Sequence, residues 1–179
     1  QQQNLFNGLS VQKVGAPASK PGALRAAKKV QGDPSVILSD SDIPSTAETQ
    51  TYKRSGYFHE KNNAYEQAEQ DAVTVIAFDG NDVYIKNPIA DYTNGKWVKG
   101  TKDGNTITVP LGQFLMYNSS TDYGLYITLA NVSGTSATND VDATTITYTI
   151  NEDGSIAQNG TSATHTLTVA WSDDDTVYD

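Results

Sequence analysis

The residues able to carry chemistry are few, and they are scattered along the chain. There are two histidines, His59 and His165, and no cysteine. That excludes thiol nucleophiles, disulfides, thiolate metal sites and iron–sulfur clusters, and leaves too few imidazoles for a multi-histidine metal centre. Neither histidine has a serine or aspartate at a recognisable motif spacing, and the sequence contains neither a Gly-x-Ser-x-Gly elbow nor a phosphate-cradling loop. Asp79, Asp82, Asp91, Asp103 and Asp122 are carboxylates of the kind that cleave glycosidic bonds, a reaction needing two of them roughly 5–9 Å apart across a sugar. Most stand in turns, where aspartate is favoured for its local backbone hydrogen bonds. The reading is of a non-enzymatic protein with no catalytic residue and no cofactor.

Three acidic clusters invite a cation: Asp40-Ser41-Asp42, Asp140-Val141-Asp142 and Asp173-Asp174-Asp175. Calcium requires six to eight oxygens in a closed arrangement, and neither the DxDxDG spacing nor its closing glutamate is present. Solvated strand ends are expected instead, and no metal ligand is assigned. The alternation of Asp140 and Asp142 leaves a weak cation site open.

Aromatic residues offer a binding chemistry. Ten tyrosines, two tryptophans and four phenylalanines are present, and sugar rings stack on exposed aromatic faces beside Asn, Asp or Gln. Tyr84, Trp97, Tyr92 and Tyr126 are the binding candidates, since they fall on or beside the central apolar runs. The competing reading is that the tryptophans fill the core and that tyrosines suit a half-buried pleated surface.

The elements that would position these residues are strands. From Val73 to Met116 four β-rich runs are joined in pairs by Asp79-Gly80-Asn81-Asp82 and Asp103-Gly104-Asn105, which are hairpin signals of the type I′ kind. Val73–Phe78 is apolar at nearly every position, as in a strand covered on both faces. Val83 and Ile85 alternate with Tyr84 and Lys86, as on a strand with one wet face. Upstream, Thr51–Phe58 reads as a strand and the polar stretch Glu60–Asp71 as a loop. Downstream, Gly124–Val132 alternates cleanly, Ser133–Asp142 reads as a loop, and Ile146–Ile150, Ser155–Gln158 and His165–Trp171 complete about nine short strands. Tight turns between successive strands predict an all-β fold, an antiparallel up-and-down meander closing into a barrel, with a β-sandwich as the alternative.

Charge divides the chain. Residues 1–30 hold Lys13, Lys20, Arg25, Lys28 and Lys29 and no acid, which leaves 7 basic against 21 acidic residues in the remainder, a net −14. An acidic body without a basic stripe argues against nucleic-acid binding. No apolar run approaches the roughly 20 residues that span a bilayer. Pro17, Pro21, Pro34 and Pro44 break up the first part. Residues 1–44 therefore read as a basic leader or tether, with Val36-Ile37-Leu38 able to dock as an added strand, and residues 45–179 as the β-domain.

The stretches AFDGNDVYIKNP (77–88) and GKWVKGTKDGNTITVPLGQFL (95–115) resemble a signature of Bacteroidota secreted β-domains of uncharacterised function. Those read AFDGNDVYIQGL, then WIKGTxDGNTVTF, then Gly-Gln-aromatic. The resemblance extends over about residues 43–179. It departs at Lys86-Asn87-Pro88-Ile89, where a glycine-containing turn is usual, and in the Thr-rich C-terminal part. It implies an exported domain (periplasmic, surface-bound or secreted) with a signal peptide removed ahead of Gln1, and it implies no chemistry. Asp175-Thr176-Val177 is similar to the short O-glycosylation motif of that phylum.

The expected use is a binding module for a glycan or a protein. The alternatives are an assembly subunit acting by strand addition, and a lipocalin-like carrier with a cavity of several hundred Å³. The sequence does not determine the oligomeric state.

Overall fold

A computed structural model describes residues 36–58, 66–89 and 95–178 of the chain. Tyr92, His59, Asp91 and the leader up to residue 35 lie outside the described residues. The fold is all-β and antiparallel, as the sequence predicts. Its strands are β1 (Glu48–Phe58), β2 (Glu66–Asp79), β3 (Asp82–Lys86), β4 (Trp97–Asp103), β5 (Thr106–Pro110), β6 (Phe114–Asn118), β7 (Tyr123–Ser133), β8 (Ser136–Asn139), β9 (Thr145–Ile150), β10 (Ile156–Asn159), β11 (His165–Trp171) and β12 (Val177–Tyr178). Seven of them form one sheet in the order β1-β2-β3-β4-β5-β9-β10, curled into a half-barrel. The second sheet runs β12-β11-β7-β6, with β8 paired to β7.

The two Asp-Gly signals make the β2–β3 and β4–β5 hairpins, pairing Asp79 with Asp82 and Asp103 with Thr106. In each, only the first loop residue, Gly80 or Gly104, has positive φ, at 62° and 59°. That is the signature of a type II′ turn rather than the expected type I′, and it explains why glycine leads the loop. Pro110 ends β5, and the chain leaves for the second sheet instead of making another neighbouring hairpin. It returns for β9 and β10 and leaves again for β11.

The core lies between the sheets. Val83, Ile85, Val98, Ile107, Val109 and Ile146 from the half-barrel meet Leu125, Ile127, Leu129, Leu167, Val169 and Trp171 from the second sheet. Alternation places these on one face of each strand, as period-2 geometry requires. Fully burying one such side chain contributes about 1.5–3 kcal/mol, so this layer dominates the stability.

Two stretches expected as loops contain strand. Residues 66–70 extend β2 and pair with β1 through Arg54–Phe58, and residues 136–139 form β8 against β7. Neither carries the apolar alternation that a strand facing a core would show. Backbone pairing in a hairpin does not need it, so the sequence signal was absent.

The body also reaches further toward the N-terminus than residue 45. Leu38 bridges to Trp97, whose N–H donates to the Leu38 carbonyl at 3.1 Å. Ile37 packs on Phe114, Tyr126 and Ala170, while Leu38, Ile43 and Ala47 pack on Ala77, Tyr84 and Trp97. Residues 37–47 are thus a strap that covers outward-facing aromatics of both sheets.

Candidate functional site

Three of the four aromatic candidates are covered. Trp97 is 6%, Tyr84 7% and Tyr126 5% exposed, so none offers the open face that stacking on a sugar requires. The strap is the physical reason for the first two. Trp97 Nε1 donates to Asp40 Oδ1 at 2.8 Å, Lys86 Nζ pairs with the same carboxylate at 3.0 Å, and Lys99 Nζ lies 5.5 Å from the Tyr84 ring centre. The Trp97 and Lys86 contacts hold the Asp40 carboxyl below its usual range. Tyr126 belongs to the other sheet, where its hydroxyl donates to Asp175 Oδ1 at 2.7 Å and accepts from Asn139 Nδ2 at 2.6 Å. Burial first, then Asp175, push that hydroxyl up. Tyr84 and Trp97 share one cluster and Tyr126 lies in another, so the structure does not assemble them into a single surface.

The acidic clusters serve local structure. Asp42 Oδ2 accepts from the Ser39 N–H at 2.8 Å and from its hydroxyl at 3.0 Å. Asp173 is buried, Asp174 accepts from the Thr176 N–H, and Asp175 binds Tyr126, which corrects the expectation of a solvated strand end. Asp140 Oδ1 accepts from the Asp142 N–H at 3.2 Å, and its Oδ2 lies 3.0 Å from His165 Nε2. The other imidazole nitrogen faces the Gly160 carbonyl at 3.5 Å. Among the described residues no three of His, Asp and Glu converge as metal ligands.

The feature with the properties of a site lies where the half-barrel fails to close. Its two edge strands, β1 and β10, face each other across a cavity of about 520 Å³. Ile76, Ile85 and Tyr148 line it from the core side, and Ser155, Gln158 and Thr166 are among the polar residues of its walls. Arg54 reaches across the gap. Its Nη1 donates to Thr74 Oγ1 at 3.3 Å and its Nη2 to Gln158 Oε1 at 3.2 Å, while its Nε is buried without a partner. Thr74 in turn donates to the Asn87 carbonyl at 3.1 Å, which leaves its oxygen free to accept from Arg54. A register shift between Lys53 and Arg54 falls beside this side chain, where β2 runs on past the last β3 pair, Val75 with Lys86. Bulges of this kind re-aim side chains near binding sites.

The electrostatics of the cavity are unusual for so acidic a chain. Arg54 and Lys53 line it, and none of the described lining residues is acidic. Burial pulls the Arg54 guanidinium below its usual range, yet a guanidinium stays charged at neutral pH. Among the described residues its two partners, Thr74 and Gln158, are both neutral. Burial also pushes Tyr148 up to about 12, against the pull of the Arg54 charge.

Sequence reading missed Arg54, Gln158 and Tyr148 as a set. Alternation did place Tyr148 inward, with Ile146 and Ile150. The available signal for Arg54 was a charge two residues from Tyr52 on the same strand face, an inward position. The distance of about a hundred residues to Gln158 hid the pairing. Comparison with known proteins returned no match, whether to a family model, a curated relative or a solved structure.

Proposed function

We propose that the protein is a non-enzymatic, exported binding module that takes a glycan or a similarly hydroxylated small molecule into the cavity between β1 and β10. One observation carries this reading: a cavity of small-molecule size with core residues along one side and hydroxyl and amide groups around it. Apolar surface provides affinity in such a site, and a few polar groups fix orientation. Export rests on the resemblance to secreted Bacteroidota domains. The earlier idea of a flat aromatic platform is replaced, because Tyr84 and Trp97 are covered by the strap.

The test is a thermal-shift and glycan-array survey of the full chain beside Gln158→Trp, which places a large ring at a half-buried lining position whose side chain faces the gap. Binding that the variant abolishes, with its melting temperature unchanged, supports the reading. A blank survey, or binding that Gln158→Trp leaves intact, refutes it. Strand addition is the second reading. It is favoured by β1 and β10 each pairing on one side only among the described residues, which leaves two edges facing one gap.

A further inference from the structure

We infer that the ligand of the β1–β10 cavity is acidic, a uronate or comparable hydroxylated carboxylate, and that its carboxylate is the counter-charge of Arg54. This rests on the cavity being the binding site and adds the chemical class of its ligand.

A guanidinium withdrawn from water is retained only where hydrogen bonds and an opposite charge compensate it. Arg54 has five N–H groups, of which two reach Thr74 and Gln158, and Nε has no partner. Among the described residues it has no carboxylate partner. Most of the acidic residues lie elsewhere on a chain of net charge −9, and none of the described ones lines this cavity. Beyond roughly 8 Å, salt screens the repulsion that the acidic body would exert on an anion, so the contest at the wall is between Arg54 and Asp153, whose carboxylate is already bonded to the lining Ser155 at 2.6 Å.

Geometry narrows the class. Thr74, fixed by its own bond to the Asn87 carbonyl, and Gln158 on the opposite edge hold the planar fork at the gap. A fork held this way matches a carboxylate through two parallel N–H donors. One buried guanidinium suits a monoanion better than a phosphate dianion, and among the described residues no glycine-rich nest or helix N-terminus lies there to share a second charge. Thr161 and Thr166 line the same cavity and can exchange hydrogen bonds with ligand hydroxyls, beside Ser155, whose hydroxyl is held by Asp153 and Asn151.

The experiment is isothermal titration of the full chain with D-glucuronate and D-galacturonate, each against its neutral counterpart, D-glucose and D-galactose. D-Glucuronamide, near-isosteric with the acid and uncharged, tests the charge without any variant. We expect the acids to bind about tenfold or more tightly than the neutral sugars and the amide. Arg54→Gln should remove that preference and Arg54→Lys should keep part of it. Equal binding of acid, amide and neutral sugar overturns the inference while leaving the cavity as the site, and so does a preference that survives Arg54→Gln. If no sugar of either kind binds, and Arg54→Gln only drives the chain into oligomers by sedimentation, then Arg54 is an edge-guarding charge. In that case both the inference and the cavity reading fall.

Discussion

Tyr148 gives the cavity a measurable signature in alkali. It is 6% exposed on β9, and burial raises its hydroxyl to about 12, against 10.0 for an exposed tyrosine. In the unfolded chain the phenol ionises near the lower value, and in the folded protein it resists until the higher one. Between the two, the unfolded state binds fewer protons, so stability falls as pH rises; below the lower value the contribution is intact. At about pH 11 the loss from this group alone is on the order of 1 kcal/mol, and it grows to roughly 2–3 kcal/mol only above the folded value. Urea unfolding followed by tryptophan fluorescence, at about pH 8 and about pH 11, measures it. Lysine deprotonation acts on every variant alike, so the quantity read is the difference between wild type and Tyr148→Phe. The phenylalanine variant should lack the extra loss. Because the Arg54 charge pulls Tyr148 down, Arg54→Met should raise its titration further. If wild type and Tyr148→Phe lose stability in parallel, or if Tyr148 absorbance titrates like an exposed phenol, then water reaches that wall of the cavity and the burial argument is wrong.

Three other perturbations address the parts that hold this wall in place. Leu125→Ala empties a fully buried position between the sheets and should cost about 3 kcal/mol by urea unfolding, whereas Val141→Ala, 44% exposed, should change stability by less than about 0.5 kcal/mol. Gly124→Ala puts a Cβ 2.0 Å from the Met116 carbonyl oxygen and 2.8 Å from Tyr117 Cα, both backbone. The β6–β7 ladder must shift to accommodate it, so a loss of about 3 kcal/mol or failure to fold is expected, against a near-neutral Gly134→Asn in an open turn with positive φ. Asp40→Asn removes the strap's ion pair with Lys86, and hydrogen exchange should speed up over residues 37–43 with little change in the core. The same release should appear in wild type as pH falls below about 4, because a carboxyl held low by Trp97 and Lys86 stabilises above its unfolded value and ceases to once protonated.

Much of the architecture was legible because period-2 alternation and glycine-led turns are local signals. Ile107, Val109, Leu125, Ile127 and Leu129 are buried where alternation places them, and the Asp79 and Asp103 turns close the expected hairpins. Alternation says which residues share a face. It does not say what lies over that face. Tyr84 and Lys86 were read as facing water, and Tyr84 is buried because residues 37–47 come back across it, a non-local event with no periodic trace. The same limit hid the strand content of residues 66–70 and 136–139, whose pairing is by backbone. It also hid Arg54, whose position acquires meaning only once β10 is brought opposite β1 after the chain's excursion through β6–β8 of the other sheet.

The open seam favours a small ligand over an added strand for a reason of charge. Closing the half-barrel with backbone bonds would require β1 and β10 to approach to about 4.8 Å, the spacing of paired strands. Between them stands Arg54, hydrogen-bonded to Gln158 at 3.2 Å, so side chains join the two edges where a ladder would otherwise run. An inserted strand would cover the guanidinium further and bring only neutral amides to it, adding desolvation without a counter-charge. A hydroxylated carboxylate covers the same surface and supplies that charge. Inward charges on edge strands are a general device against strand addition, and here the device and the binding group are one residue. On this argument the assembly reading requires Arg54 to leave the gap, whereas the ligand reading uses it where it stands.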